Sequence, residues 1–530
     1  MRRIGQRAYR LLKAALVQVA VHFEVDISLF SEQVLGVPLR KYQVKPLRAI
    51  LTSILGRQGQ EFLLIFPRQS GKNEAVAQLL VYLLNIYQRT GGNIVYGAIS
   101  IGQELGIERL EERLENTWNT GHWTKRSRPD RRALGNAQIV FLSTHPAAKT
   151  RGQTAHHLLV IDEAQDQLGS HIEAVFTPMR AANNATAVYI GTVKLTSDYL
   201  WQKKLELERE QEADGIQRVF FVKPETVIAE NPYYRDFLDS QVRRYGRHHP
   251  IVASEYYLEP IDGTGGLFGP RRRALMLGDH ERERTPQPGA CYVATVDVAG
   301  EDEAATDPIA RLANPARDYT VATVFRVDYP AAGSLSPGPT YRAVDVFVDH
   351  GAKHFQEVPG SPPLVQRLYA WLSLWQVAHA ITDESGVGLG LTSWLKNAIG
   401  EKRVTGFNFA GTGKKAALGS AFLSLVETGR FRYWPIDAHL GDAWWFWRQV
   451  EACTYEVPPD GRFDRDLQWS VPTTHKTDTP TGPEPTHDDR LLSAALIAEL
   501  DRKLAAGDLV LGTAQSAVLA PADPLARLAF

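Results

Sequence analysis

Between residues 40 and 200, short apolar runs rich in β-branched and aromatic residues alternate with longer stretches of helical period. The runs are Phe62 to Phe66, Ile94 to Ile99, Ile139 to Leu142, Leu158 to Ile161 and Ala187 to Ile190. Strands that alternate with helices predict a parallel sheet covered on both faces. Residues 200–250 read as helical and heavily charged, and 260–290 is rich in Gly, Pro and charge, which predicts a linker. Three runs then follow with no helical pattern between them: Tyr292 to Val298, Tyr319 to Val327 and Tyr341 to Val348. Their two hairpin-like connections predict an antiparallel meander. A helix near Leu364 to Trp375 leads to another run, Val377 to Ile381, and β and α segments alternate to the end, so the second block is α/β with a mixed sheet. Residues 471–487 read as a Pro/Thr-rich loop, and the last dozen or so as a weakly ordered tail.

The 530 residues predict two to four domains, and 44% hydrophobic with 22% charged residues excludes fibrous and wholly disordered classes. Two cysteines, Cys291 and Cys453, are too few for a disulfide framework or a paired-cysteine zinc site, which favours a reducing compartment. The apolar stretch Leu11 to Val21 is broken by Lys13 and Gln18, so neither a membrane span nor an export signal is predicted.

The strand Phe62 to Phe66 runs into Pro67-Arg68-Gln69-Ser70-Gly71-Lys72-Asn73 and then a helix. A strand, a turn and a helix with Gly-Lys at its start make an anion cradle, because free helix N–H groups and the lysine point at phosphates. The match to the phosphate-loop pattern is imperfect, with Phe66 where Gly is usual and Asn73 where Ser or Thr is usual. By itself, a Gly-Lys pair at a helix start also arises by chance. Some 90 residues on, Leu158 to Ile161 ends in Asp162-Glu163. Two acids at the carboxyl edge of a buried strand suit Mg²⁺ at Asp162 and an attacking water at Glu163, although they also serve as a strand cap. Together the two motifs predict ATP binding and hydrolysis, with Gln69, Ser70, Gly71, Lys72 and Asn73 on the phosphates. Tyr42-Gln43 reads either as an adenine contact or as an exposed helix start. Thr192, in Gly191-Thr192 at the end of a strand, is placed to sense the γ-phosphate. Arg68 and Arg151 are candidates for stabilising transition-state charge, or equally surface or DNA-contacting charges.

The second block carries scattered carboxylates. Asp297 lies within the first apolar strand, where an unpaired charge is costly. Asp383 ends the run Ala380-Ile381-Thr382, and His487-Asp488-Asp489 opens a helical stretch. An acid in the first strand of a meander, a second at the end of the fourth strand and a third at a helix start is an RNase H-like layout. Such carboxylates can hold two divalent ions roughly 4 Å apart, one activating water and one stabilising the leaving oxygen. Any one of them alone is more often a cap or salt-bridge partner. Glu301, Asp302, Glu303 and Asp318 are nearby acids, and Lys414 is a base placed to meet a DNA phosphate.

With these motifs in this order, the chain resembles the large terminase subunit of tailed bacteriophages over roughly residues 35–500. The matching residues are Tyr42-Gln43, Pro67 to Asn73, Arg151-Gly152, Val160-Ile161-Asp162-Glu163-Ala164, Gly191-Thr192, Asp297 with Asp318-Tyr319-Thr320, Asp383 with Gly386-Val387-Gly388, and His487-Asp488-Asp489. The expected fold class is α/β. An N-terminal RecA/ASCE-like P-loop ATPase with a doubly wound parallel sheet precedes a C-terminal RNase H-like nuclease domain with a mixed sheet. Expected divisions are an N-terminal helical extension (1–35), the ATPase (36–215), a helical subdomain and linker (216–290), the nuclease (291–505) and a tail (506–530). The resemblance implies ATP and Mg²⁺ as cofactors, with Mn²⁺ an option at the nuclease site, and Asp162, Asp297, Asp383, Asp488 and Asp489 as metal residues. It also implies translocation of double-stranded DNA, endonucleolytic cutting, a pentameric ring on the portal protein and a small terminase subunit that selects DNA. The setting implied is host cytoplasm with transient docking on the procapsid, without export. Asn73 departs from the hydroxyl expected on Mg²⁺, and the Asp488-Asp489 doublet leaves open which acid is the ligand.

Two other readings compete. A helicase or other DNA-dependent ATPase fused to a nuclease, acting in repair or phage defence, requires a second RecA-like half that the sequence past residue 220 does not supply. A phage structural protein with a degenerate phosphate loop is disfavoured by the presence of Lys72, Asp162 and Glu163 together. Charge separates the halves. Residues 1–260 hold 33 Lys+Arg and 27 Asp+Glu, net +6, and residues 261–530 hold 26 and 33, net −7, giving the overall −1. Basic clusters stand at Lys125, Arg126, Arg128, Arg131 and Arg132, at Arg243, Arg244 and Arg247, and at Arg271 to Arg273. The expected picture is a basic motor joined to an acidic metal-dependent nuclease.

Overall fold

The computed structural model describes residues 26–511 apart from 128–129, 149, 151, 300–318, 332, 351–352, 358–359, 412 and 459–460. Arg151, Arg128, Glu301, Asp302, Glu303, Asp318, most of the N-terminal extension and most of the tail therefore lie outside the described residues. These fall into two compact units. One comprises the residues up to Leu238 with Ala253–Asp262, the other Asp239–Val252 and those from Gly263 onward.

In the first unit the apolar runs form β1 (Glu61–Ile65), β2 (Gly92–Ala98), β5 (Ala137–Ser143), β6 (Leu158–Ile161) and β7 (Thr186–Gly191), with β3 (Trp123–Ser127), β4 (Asp130–Leu134) and β8 (Val219–Phe221) added. The sheet order is β3-β4-β5-β2-β6-β7-β1-β8. The six strands from β5 to β8 in that order are parallel, and β3 and β4 are antiparallel at one edge. Side-chain alternation divides β1 between two cores. Phe62, Leu64 and Phe66 pack with Leu47, Ile50, Val76, Leu80 and Leu110, from the helices Lys41–Leu55, Lys72–Tyr87 and Ser100–Glu115. Leu63 and Ile65 point the other way, with Phe176 and with Leu200 and Leu207 of the helix Tyr199–Asp214. The doubly wound expectation holds for the parallel strands. The edge hairpin differs from it, because β3 is polar and largely exposed and lacks the apolar run that marks a buried strand. Part of the first basic cluster sits on this hairpin, where Arg132 pairs with Glu111.

The second unit is built on a six-stranded sheet of order β14-β13-β10-β11-β12-β15. Its strands are β10 (Cys291–Asp297), β11 (Thr320–Asp328), β12 (Thr340–Asp349), β13 (His379–Asp383), β14 (Val404–Phe407) and β15 (Phe431–Tyr433). β10 to β12 form the antiparallel meander, and β13, β14 and β15 join in parallel. One face carries Ala294, Val296, Ala322 and Val324 against Leu368 and Leu372 of the helix Leu364–Leu374 and Leu391 and Leu395 of Gly388–Ile399.

Two segments differ from their sequence reading. The stretch read as a linker contains β9 (Thr264–Gly266), which pairs with β16 (Thr454–Glu456), itself paired with β17 (Gln468–Ser470). It continues into the helix Pro270–Met276, where Arg271 and Arg272 clasp the buried Glu427 and Arg273 pairs with Glu451. That basic triplet is spent on internal carboxylates, a tertiary pairing that a local charge count misses. Within the Pro/Thr-rich loop, β18 (Lys476–Thr479) and β19 (Gly482–Pro485) make a hairpin, because Gly482 at φ 121° supplies a turn that other residues resist.

Candidate active sites

β1 delivers the chain to the loop Pro67 to Gly71, and Gly71 at φ 90° starts the helix Lys72–Tyr87. The loop is braced from below. Tyr42 donates its hydroxyl to the Ser70 carbonyl at 2.6 Å, and the Gln43 amide donates to the Gly71 carbonyl at 2.8 Å while accepting from the Arg40 N–H at 2.8 Å. Tyr42-Gln43 is thus neither an exposed helix start nor open to solvent at its amide: Gln43 is buried and holds the loop. The Ser70 hydroxyl turns inward to the Pro67 carbonyl at 2.6 Å.

Asp162 and Glu163 follow β6 directly. Asp162 is fully buried and accepts from the Tyr96 hydroxyl at 2.5 Å. Burial, reinforced by the adjacent Glu163 charge, raises its pKa. Glu163 sits at φ 46°, a left-handed backbone that costs a non-glycine residue about 1–3 kcal/mol. Its Oε2 accepts from Lys72 Nζ at 2.9 Å and from Gln165 Nε2 at 2.7 Å. Burial pushes the Glu163 carboxyl up, but Lys72 and Gln165 outweigh it and hold it below the usual range. Burial likewise opposes the Lys72 charge, and Glu163 and Asp162 overcome it.

The remaining first-unit residues are placed as follows. The Thr192 N–H donates to Gln165 Oε1 at 3.2 Å, and the preceding Gly191 carbonyl accepts from Phe66 N–H at 3.3 Å, joining the ends of β7 and β1. Arg68 is ion-paired with Glu255, and its carbonyl accepts from Tyr234 at 2.9 Å. Gln69 has φ 63° and Asn73 lies in the first turn of the helix. The donor set suits a magnesium nucleotide: a backbone loop at a helix start, a charged lysine and two carboxylates at one strand end.

In the second unit, β10 and β13 run parallel with Val296 opposite Thr382, so Asp297 and Asp383 occupy the next register positions of adjacent strands. The helix Asp489–Ala495 lies over β10 and β11. Its Ser493 hydroxyl meets Thr323 Oγ1 at 3.0 Å and the Thr295 carbonyl at 3.4 Å. That docking brings Asp489, buried, to the same edge, where its Oδ2 accepts from Tyr319 N–H at 2.9 Å. Burial first, then the charges of Asp489, Asp383 and Asp488, drive the Asp297 pKa well above its ordinary value, with Lys415 opposing them. Asp383 is also raised by burial, though it accepts from Ser385 N–H at 2.8 Å. These acids act on one another electrostatically, yet among the described residues no three His, Cys, Asp or Glu side chains meet at metal-ligand geometry. The donors are hard carboxylate oxygens, the class that suits Mg²⁺ or Mn²⁺.

Sequence reasoning missed four residues here. Tyr96 is a lone hydroxyl in an apolar strand, and Gln165 lies two residues past Glu163. Glu255 is distant in sequence from its partner. Lys415, next to the Lys414 singled out above, stands 3.7 Å from Asp488, whereas Lys414 is exposed. Helix phase, which a charge count ignores, decides between the two lysines.

Among the described residues no helix is long and apolar enough to cross a membrane. No family model matches the chain, and no curated protein matches it. Among solved structures it is similar to the large terminase from a thermophilic bacteriophage, at 10% identity over 87% of this chain and 99% of that one, with a TM-score of 0.45. It is similar to the HK97 bacteriophage large terminase at 13% identity over 90% and 99%, with a TM-score of 0.37. The large terminase nuclease of a second thermophilic phage, with bound magnesium, matches at 18% identity over 44% of this chain and 96% of that one, with a TM-score of 0.30. These solved structures, to which the chain is similar in fold, are bacteriophage large terminases and a large terminase nuclease.

Proposed function

We propose that this chain is a DNA-packaging motor subunit of a tailed bacteriophage, which hydrolyses ATP to translocate double-stranded DNA and cuts that DNA endonucleolytically. The observation that carries the reading is the pairing, in one chain, of two sites. One is a loop-and-strand-end site built on Lys72, Asp162 and Glu163, and the other a carboxylate edge built on Asp297, Asp383 and Asp489.

At the first site the loop N–H groups and Lys72 bind the phosphates, Asp162 holds Mg²⁺, and Glu163 orients the attacking water and takes its proton. Thr192, linked to the site through Gln165, senses the γ-phosphate. Arg68 contributes charge once it exchanges Glu255 for phosphate, and Gln43 acts through the loop it braces.

At the second site Asp297, Asp383 and Asp489 hold divalent cations. Asp489 is the ligand of the doublet, since it is the more buried and acts on Asp297 ahead of Asp488. Bound there, the cations would lower the pKa of a water and neutralise the leaving oxygen. Lys415 places a positive charge beside Asp488.

The partners that follow are duplex DNA, the portal protein, a small terminase subunit and four further copies of this chain in a ring, in the host cytoplasm. A helicase with an appended nuclease is less well supported: the six-stranded sheet of the second unit contains an antiparallel meander, where a second RecA-like half would be parallel. The test is to assay ATP turnover and duplex cleavage separately in the full-length protein. Glu163→Ala should bind ATP and cut DNA without hydrolysing ATP, and Asp297→Ala should hydrolyse ATP without cutting. Loss of both activities in either variant, or of neither, contradicts the two-site assignment.

A further inference from the structure

Gln165 is 5% exposed and both ends of its carboxamide are engaged. Nε2 donates to Glu163 Oε2 at 2.7 Å, and Oε1 accepts from the Thr192 main-chain N–H at 3.2 Å. The fit is close, since a Cβ built on Gly191 would stand 2.1 Å from Gln165 Oε1. Only a neutral group with a donor at one end and an acceptor at the other satisfies both neighbours. A carboxylate there would face the Glu163 carboxylate, and an apolar side chain would leave the Thr192 N–H and one side of the half-buried Glu163 carboxylate without that partner.

The link joins two parts of the nucleotide site that lie on different strands. Glu163, after β6, is held at φ 46° and shares its Oε2 between Gln165 and Lys72 at 2.9 Å. Thr192 follows β7, whose Gly191 carbonyl is tied to the base of the phosphate loop through Phe66 N–H at 3.3 Å. A phosphate that draws Lys72 to itself removes one of the two donors from Glu163 Oε2 and leaves Gln165 as the other. The orientation of the base and the position of the β7 end then depend on the same side chain.

We propose that Gln165 is a positioning residue for ATP hydrolysis: it keeps Glu163 aimed once Lys72 engages phosphate, and it couples that aim to the Thr192 segment. This inference rests on the ATPase reading above. It assigns Gln165 to the turnover step and leaves nucleotide affinity to the loop and Lys72.

The test uses the full-length protein with Gln165→Ala, Gln165→Glu and Gly191→Ala, the last of which displaces Gln165 without removing it. Steady-state ATP hydrolysis with Mg²⁺ gives kcat, a fluorescent ATP analogue gives Kd, and hydrogen exchange with a slowly hydrolysed analogue reads the Thr192 amide. All three variants should lose about 10- to 100-fold in kcat with Kd within about threefold of wild type. In Gln165→Ala the Thr192 amide should lose its protection. An unchanged kcat in Gln165→Ala overturns the proposal, and so does a kcat loss matched by an equal loss of affinity and a lowered unfolding midpoint, which marks a purely structural role. A wild-type protein that binds the analogue but does not turn over ATP overturns the ATPase reading itself, a distinct outcome.

Discussion

The ammonium of Lys415 stands 3.7 Å from the Oδ2 of Asp488 and lies over the ring of Trp469 at 5.5 Å, whose indole N–H is itself bound to the Lys415 carbonyl at 2.8 Å. The lysine is therefore anchored at its backbone and aimed along the carboxylate edge. A fixed positive charge beside a scissile phosphate stabilises charge that develops in the transition state. Lys415→Ala should reduce plasmid cleavage about 10- to 100-fold while ATP turnover stays at the wild-type level. Lys414→Ala, which removes an exposed charge, should leave the cleavage rate within about threefold and reduce the salt dependence of DNA binding by about one unit of slope.

Asp297 is an acid whose ionisation the fold opposes. It is buried, and the charges of Asp489, Asp383 and Asp488 disfavour its ionisation while Lys415 favours it. Because its folded-state pKa is raised, the group's contribution to stability is lost as pH rises from the unfolded value toward the raised one. Asp297→Asn removes the charge and keeps the shape. In the absence of divalent cations the unfolding midpoint should rise by about 2 °C or more, read by calorimetry at about pH 7, while cleavage disappears. A midpoint that falls would show that the carboxylate is better compensated than its surroundings indicate.

Tyr96 offers a test of the first site that leaves its charges in place. Tyr96→Phe deletes the hydroxyl that donates to the fully buried Asp162 at 2.5 Å. A charged acceptor that loses its donor costs about 1–3 kcal/mol. Thermal unfolding should register that loss without nucleotide, and saturating Mg²⁺ with nucleotide should recover part of it, because a ligand that binds only the folded state stabilises it by mass action.

His249 sets a further pH dependence. Its Nδ1 accepts from Ile251 N–H at 3.3 Å and its Nε2 donates to the Ser420 carbonyl at 2.9 Å, an arrangement that requires the neutral ring. Burial holds its pKa down to about 4, with Arg272 adding to the effect and the Ser420 carbonyl, Glu427 and Asp464 opposing it. The rings of Tyr245 and Phe463 fill the remaining sides. A depressed histidine leaves stability untouched above the unfolded pKa of about 6.5 and subtracts from it as pH falls toward 4, by up to about 3 kcal/mol. The second unit should therefore melt progressively lower between about pH 6.5 and 4.5. His249→Gln, which cannot take up a proton, should flatten that part of the curve; an unchanged slope would place the titrating group elsewhere.

The apolar runs that became β1, β2, β5, β6 and β7 and the meander β10 to β12 were legible because each buries both faces or alternates cleanly, so hydrophobicity alone marks them. The polar strands β3 and β18, and β9 within a Gly-rich stretch, carry no such mark and exist because a neighbouring strand completes their hydrogen bonds. Lys72, Asp162 and Glu163 were legible for the same local reason: each sits within a residue or two of a strand end or helix start. Gln165 and Lys415 were not, since their meaning depends on Thr192 and Asp488, partners far along the chain, and on helix phase.

Chain order by itself determined which residues bear charge at the ends of elements, because an acid after an apolar run has nowhere to go but the sheet edge. Tertiary structure alone decided which of these charges face one another. It spent Arg271 and Arg272 on Glu427, turned Lys415 toward the acids and Lys414 to solvent, and laid the helix Asp489–Ala495 across β10 so that Asp489 joined Asp297. The physical reason is range. Hydrophobic period and capping act over a few residues and can be read in line, whereas electrostatic pairing acts through space between segments whose separation only packing establishes.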